Sequence, residues 1–427
     1  MVFQYKDNVF HIEDVPFPKI AEDYGTPVYV YSSTQIDANY QRLKTVCENH
    51  LPENRQPLIA YACKANGSMA IMTMLARAGC GIDIVSGREM NRAISAGCDP
   101  QKIVYSGVGK SEAEIMKAIQ AGILQINIES ESELHKISKI ARSLDKVCTV
   151  AFRLNPNLAS DTHTLYATSE LDTKFGIEQE KIPHLYKIAS EDPYLNPIGI
   201  STHVGSKIKS VDTFKQLFKK MAELVGILRN EGHSVVSLDL GSGFSAIPAS
   251  EAINLDDYVR AIKDHILPLG TDVILEPGQY LVGNAGVLLT RVMTVKENPI
   301  RKFLIVDCGM TDFIRPSMYG GEHPIHPVTR RKSEQDKDEK VTYDIGGPVC
   351  ETADMIGHDR HFTGIREDDL LAVMEVGAYG IVHSSPLYNG RFIAPEVMVR
   401  GSETALIREM VDVEILGRYE KQPEWAA

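Results

Sequence analysis

The sequence predicts an α/β protein with a (β/α)8 barrel joined to a second, mostly β domain assembled from both chain ends. Three observations carry that prediction. Between residues 35 and 276, eight short apolar runs alternate with amphipathic helical stretches. A polar or reactive residue follows almost every run, as a barrel requires if eight strand ends ring one mouth; a doubly wound open sheet, the competing architecture, would scatter them. Beyond residue 276 the helical periodicity stops, and short β-like runs separated by Gly and Pro turns take over.

The apolar runs are Leu58–Ala62, Gly81–Val85, Ile103–Tyr105, Leu124–Ile128, Thr149–Leu154, Pro197–Thr202, Val235–Leu240 and Asp272–Leu275. Helices are expected at Met69–Ala78, Arg88–Ala96, Glu112–Ala121, Glu131–Leu144 and Val211–Asn230. The last carries Phe214, Leu217, Phe218, Met221, Leu224, Val225 and Leu228 at helical spacing, which marks a core face. The β domain is read from Leu288–Val295, Lys302–Asp307, Val341–Ile345, Leu370–Glu375 and Ala394–Arg400, with Pro27–Tyr31 as a further strand. The expected division is a barrel over 35–276 and a β domain from 1–34 and 277–427.

Composition narrows the function classes. An apolar content of 43% and a charged content of 24% are those of an ordinary globular protein. A formal charge of −12 argues against nucleic acid or an anionic membrane as partner. The one dense charge run, Arg330–Lys340, mixes both signs and reads as a solvated loop. Seven dispersed cysteines without a Cys-x-x-Cys pair point to neither a disulfide framework nor a zinc site, and a reducing cytoplasm is the expected location. The start of the chain carries charges where a signal peptide needs apolar residues, and no apolar stretch approaches the ~20 residues of a membrane span. The pairs His323/His326 and His358/His361 lie on turn-like segments without an obvious third ligand, so no metal is expected.

Four strand ends carry chemistry. Lys64 stands one step past Leu58–Ala62, where partial desolvation lowers an amine's pKa and suits it to Schiff-base formation; a solvent-facing lysine is the alternative. Gly241-Ser242-Gly243 follows the seventh run, where barrels bind phosphate on backbone N–H groups, although a tight turn would look the same. Glu276-Pro277-Gly278 follows the eighth, offering either a carboxylate for a protonated ring nitrogen or a strand cap. His203, after the sixth, is placed to stack on a flat cofactor or to serve structure alone. Asp83 and Ser86, after the second, are candidates to hold Lys64 or simply to cap a helix. Amine, phosphate cradle, carboxylate and imidazole together describe pyridoxal phosphate.

With those residues in place, the chain resembles the diaminopimelate decarboxylases, within the barrel-type, alanine-racemase-like pyridoxal-phosphate enzymes. The likeness runs from Tyr24-Gly25-Thr26-Pro27 to Tyr388-Asn389. It rests on Tyr61-Ala62-Cys63-Lys64-Ala65-Asn66, Asp83-Ile84-Val85-Ser86-Gly87, Ser106-Gly107-Val108-Gly109-Lys110, His203-Val204-Gly205-Ser206, Asp239-Leu240-Gly241-Ser242-Gly243, Glu276-Pro277-Gly278, Arg315-Pro316-Ser317-Met318-Tyr319, Gly347-Pro348-Val349-Cys350-Glu351 and Gly377-Ala378-Tyr379-Gly380, in that order. The resemblance implies that Lys64 makes the Schiff base, His203 stacks on the ring and Glu276 pairs with its nitrogen. It implies that Ser206, Gly241, Gly243 and Gly278 face the phosphate. Cys350 resembles a proton donor and Glu351 the reader of the substrate's distal ammonium, both reaching the site from the partner subunit of a homodimer. Arg315 and Tyr319 match residues that hold the distal carboxylate, and Tyr379 matches one touching cofactor and substrate. The implied reaction is decarboxylation of meso-2,6-diaminopimelate to L-lysine, the last step of lysine biosynthesis.

The chain departs from the family pattern in places. Gly87-Arg88-Glu89 replaces Gly-Gly-Glu, the phosphate triplet is Gly-Ser-Gly, and Lys207 replaces a common glutamine. Gln279 stands where an arginine normally follows Glu-Pro-Gly and helps hold phosphate and the distal carboxylate; a neutral amide supplies neither charge nor a bidentate fork. The expectation is weaker substrate or cofactor binding, unless Lys207 compensates. Three rivals remain at this stage. A decarboxylase of ornithine or arginine type is the near one. A non-catalytic pyridoxal-phosphate carrier would lack the second β domain, and a barrel hydrolase using Glu276 would need a second carboxylate as partner.

Overall fold

Eight parallel strands close on themselves, because the helices between them carry the chain back to the same starting end each time. The strands are Leu58–Ala62, Gly81–Ile84, Ile103–Tyr105, Gln125–Ile128, Cys148–Asn155, Leu195–Thr202, Ser237–Asp239 and Asp272–Leu275. Each pairs with the next, and the last closes on the first with Ile274 opposite Leu58. The computed structural model describes residues 2–158, 173–206, 208, 210–244, 252–331 and 340–426. Ala60, Val104 and Ile274 point inward and pack together with Leu58 and Leu124, so the barrel is a filled core and not a channel.

The outer helices are Met69–Arg77, Gly87–Ser95, Glu112–Ala121, Glu131–Ser143, Ile182–Glu191, Val211–Asn230 and Leu255–His265, preceded by Ser33–His50. Their starts explain several of the polar residues that follow strands. Ser86 Oγ accepts from Glu89 N, Ser130 Oγ from Glu133 N, and Ser111 forms a reciprocal capping box with Glu114. Val211–Asn230 buries all seven of its helically spaced apolar residues, as its periodicity predicts.

The chain divides into two compact units, Asp37–Leu281 and Met1–Ile36 with Val282–Ala427. The second unit is built on a nine-stranded sheet centred on one long strand, Gly286–Glu297. Its first half pairs antiparallel with Val28–Ser32 on one edge and Leu370–Met374 on the other; its second half pairs with Lys302–Val306. Val28, Val30, Val287, Leu289, Val397 and Val399 share one core with Phe10 and Ile12 from the N-terminal hairpin and Phe17 from the helix Phe17–Tyr24, so both chain ends build this unit. Met355–Phe362 and Ile325–Pro327 are strands here, which places His326, His358 and His361 on strands and not on the turns the sequence reading expects. Among the described residues no helix is long and apolar enough to cross a membrane.

Candidate active site

Lys64 sits in a single helical turn, Cys63–Ala65, directly after the first barrel strand. Its Nζ lies 3.5 Å from Oδ2 of Asp83, and the side chains are 33% and 0% exposed. Asp83 points inward from the second strand. Burial pushes its carboxyl above the usual range, and Lys64 pulls the other way. Asp83 is therefore the partner of Lys64, whereas Ser86 is spent on its helix cap.

The loops after the sixth and seventh strands press against each other through glycines. Gly241 has φ +60° and Gly243 φ +128°. A Cβ on Gly243 would come within 2.6 Å of the Gly205 carbonyl, and one on Gly241 would strike the Thr202 carbonyl. Only glycine allows this approach. Phe244 then anchors the loop, with its ring 4.9 Å from Tyr258 and 5.3 Å from Tyr280. Ser242 Oγ donates to the Glu276 carbonyl at 2.7 Å, and Glu276 N donates to the Gly241 carbonyl at 2.7 Å, tying the seventh strand end to the eighth. Gly278 approaches the first strand end, where a Cβ would lie 3.2 Å from the Cβ atoms of Ala62 and Ala65. Pro277 accepts from Ala62 N at 3.3 Å, and Gln279 is buried at the start of the short helix Gln279–Val282.

His203 and Glu276 have opposite electrostatics. Burial first, then the Lys64 and Arg153 cations, hold the His203 imidazole well below its ordinary pKa, so the ring is neutral. Burial first, then the Asp239 and Asp83 carboxylates, push Glu276 well above the usual carboxylate range. Glu276 Oε1 is buried and has no hydrogen-bond partner among the described residues. An orphaned acceptor of this kind is costly unless a ligand completes it, and a protonated ring nitrogen would do so. Together with a lysine amine, a neutral imidazole and glycine loops that keep backbone exposed, these residues fit pyridoxal phosphate. Ser206 lies half-buried on the same loop as His203; Lys207 falls outside the described residues.

The sequence reading did not assign a role to the polar chain inside the barrel. Asn127 Nδ2 donates to Ser106 Oγ and to Asp239 Oδ2, each at 3.0 Å, and Gln125 Nε2 donates to Asn127 Oδ1 at 2.8 Å. The Asn127–Asp239 bond spans from the fourth strand to the seventh across the interior. The alternation Gln125-Ile126-Asn127-Ile128 was the available signal, because its polar period places two amides on one strand face. Glu129 braces the neighbouring loops by accepting from Gly107 N at 3.2 Å, Gly176 N at 2.8 Å and the Arg153 guanidinium.

The second unit groups the remaining candidates. Arg315 is buried in the first turn of Arg315–Tyr319, and its guanidinium lies 5.8 Å from the Tyr319 ring centre and 5.6 Å from that of Tyr379. Tyr379 takes φ +56°, a conformation costly for a non-glycine residue. Cys350 and Glu351 are both exposed on a loop knotted by the buried Asp354, which accepts from Val349 N at 2.7 Å. Cys350 N donates to Asn389 Oδ1 at 2.8 Å, and Tyr388 OH lies 3.5 Å from Glu351 Oε2.

Comparisons with known proteins identify the family. Residues 35–283 match the family model described as pyridoxal-dependent decarboxylase, pyridoxal binding domain. The diaminopimelate decarboxylase of Zymomonas mobilis is 39% identical over 428 residues, covering 99% of both chains. The crystal structure of diaminopimelate decarboxylase from M. jannaschii in complex with L-lysine superposes with a TM-score of 0.93 at 33% identity, covering 100% of this chain and 99% of the other. That of the Helicobacter pylori enzyme with L-lysine gives a TM-score of 0.88 at 33% identity, covering 94% and 98%. On its near-complete alignment with these relatives, the chain belongs to the diaminopimelate decarboxylase family of pyridoxal-dependent decarboxylases.

Proposed function

We propose that the protein decarboxylates meso-2,6-diaminopimelate to L-lysine and CO2, with Lys64 as the attachment point of pyridoxal phosphate. The single observation that carries the reading is the Lys64–Asp83 pair at the barrel mouth, and the unanswered Glu276 Oε1 in the same interior supports it. When bound, the cofactor supplies an electron sink for the pair of electrons left behind by the departing carboxylate.

The chain's own residues do the rest. Asp83 would aim the Lys64 amine that holds the cofactor. The loops around Gly205, Gly241, Gly243 and Gly278 offer backbone N–H groups to a phosphate, with Ser206 beside them. Neutral His203 would lie against the cofactor ring without placing a cation beside it. Glu276 Oε1 would accept a hydrogen bond from the cofactor's ring nitrogen. Arg315, flanked by Tyr319 and Tyr379, presents a planar cation to the substrate's distal carboxylate, and Glu351 an anion to its distal ammonium. Cys350 Sγ returns a proton to the carbon that has lost CO2.

Cys350 and Glu351 serve the site of a partner subunit in a homodimer. Their exposure supports this, as does the exposed Leu387, which precedes the Tyr388 whose OH lies 3.5 Å from Glu351 Oε2. The protein works in the cytoplasm, where its buried free cysteines stay reduced.

Borohydride treatment of the holoprotein should bleach its absorbance band and leave the cofactor on a peptide containing Lys64. Assayed side by side, diaminopimelate should be decarboxylated well ahead of lysine, ornithine and arginine. An adduct on another lysine, or faster release of CO2 from ornithine or arginine, would overturn the reading. A yellow holoprotein releasing no CO2 would be a carrier.

A further inference from the structure

We propose that Asp239 is a positioning residue for Glu276, so that the cofactor's ring nitrogen is answered by two carboxylates acting as one unit. This rests on the reading above that Glu276 Oε1 faces that nitrogen.

Asp239 ends the seventh strand, is 1% exposed, and is a hydrogen-bond partner of Glu276. Its own oxygens are both provided for: Oδ1 accepts from Gly241 N and Oδ2 from Asn127 Nδ2, each at 3.0 Å. Asn127 cannot swing away, because Gln125 and Ser106 hold its other contacts. Glu276 Oε1, by contrast, has no donor among the described residues. Two buried carboxylates in contact cannot both ionise without a compensating cation, so they share one proton. The partner with more hydrogen-bond donors keeps the charge, and here that is Asp239, whose carboxyl is pushed up to about 6 while Glu276 is pushed further. The proton therefore rests on Glu276 and is donated to Asp239. The pair presents one net negative charge to the ring nitrogen wherever that proton lies. The same Asp239 oxygens orient Gly241, so one buried carboxylate braces both the phosphate loop and the acid of the ring nitrogen.

The unit behaves differently from a lone glutamate when Glu276 is neutralised. In Glu276→Gln the amide can donate to Asp239 through Nε2 and present Oε1 outward, leaving the Asp239 charge behind it. The test uses holoprotein loaded with pyridoxal phosphate isotope-labelled at the ring nitrogen, whose NMR shift separates protonated from neutral forms. Near neutral pH the nitrogen should be protonated in the parent, in Glu276→Gln and in Asp239→Asn, and neutral only in the double variant. A neutral nitrogen in Glu276→Gln alone, or a protonated one in the double variant, overturns the proposal. A neutral nitrogen in the parent overturns the underlying reading as well.

Should the double variant not fold, Asp239→Asn against the parent reads the same coupling. Its amide oxygen still accepts from Gly241 N, and although Glu276 then carries the one charge alone, loss of the Asp239 carboxylate that fixes its position should lower the pH at which the ring nitrogen deprotonates by about one unit. No shift overturns the proposal. The other charged or titratable groups around the unit are Lys64, Asp83, Arg153, His203 and Tyr258, which faces Asp239; they are the same in every variant.

Discussion

Lys64 Nζ and Asp83 Oδ2 stand 3.5 Å apart across adjacent strand ends, with the carboxylate wholly buried and the amine one-third exposed. The pairing is asymmetric by design of the fold: the second strand delivers Asp83 inward, while a helical turn swings Lys64 toward the mouth. Asp83 can therefore hold the lysine without closing it off.

Replacing Asp83 with Asn keeps the shape and removes the charge. The turnover number should fall roughly tenfold, equivalent to about 1.4 kcal/mol, with KM changing little because Asp83 orients the amine and does not touch the distal end of the substrate. Steady-state kinetics on the holoprotein checks this. A raised KM at constant turnover would place Asp83 in substrate binding instead.

Gln279 is buried at the position where the family resemblance implies an arginine. Gln279→Arg should lower KM for diaminopimelate or tighten cofactor binding by roughly fivefold or more, since a charge-assisted bidentate contact is about twice as strong as a neutral one. Equilibrium dialysis for the cofactor and initial rates for the substrate separate the two. No improvement in either would mean that the neutral amide suffices.

Mixing subunits tests where Cys350 acts. Lys64→Ala and Cys350→Ala should each be nearly inactive as homodimers. If each site takes Lys64 from one subunit and Cys350 from the other, subunit exchange should restore about a quarter of parental activity, because half the dimers are mixed and each has one intact site. Activity that stays at the level of the separate variants would put both residues in the same subunit's site.

Asp312 in the second unit offers a pH prediction. Burial pushes its carboxyl up to about 6. Its folded pKa is above its unfolded one, so the folded state binds the extra proton, and stability is present at low pH and lost as pH rises through that value. Asp312→Asn, which keeps an acceptor for Gly309 N, should reduce the loss of urea stability between about pH 4.5 and pH 7 by up to about 2 kcal/mol. An unchanged loss would show that Asp312 does not titrate in this range.

The barrel was legible because its signals are local. A buried parallel strand is a short apolar run, and the turn after it must carry polar residues, so Leu58–Ala62, Ile103–Tyr105 and Asp272–Leu275 are read to the residue. Met355–Phe362 was not legible: its exposed face carries His, Asp and Arg residues that resemble a turn, and only pairing with Val341–Gly346 makes it a strand. Ile182–Glu191 is not legible as a helix either. It opens with a proline that a helix tolerates only in its first turn.

The sequence by itself determined the strand-and-helix rhythm, the family motifs and the candidates at the strand ends, since each depends on neighbours a few residues away. Tertiary structure alone decided which of them meet. It set Asp83 against Lys64 and left Ser86 to a cap, and it joined Asn127 to Asp239 across 112 residues of chain. The physical reason is that closure of the barrel, and not spacing along the chain, chooses which polar groups share a buried interior. There, each must find a partner or keep its place for a ligand.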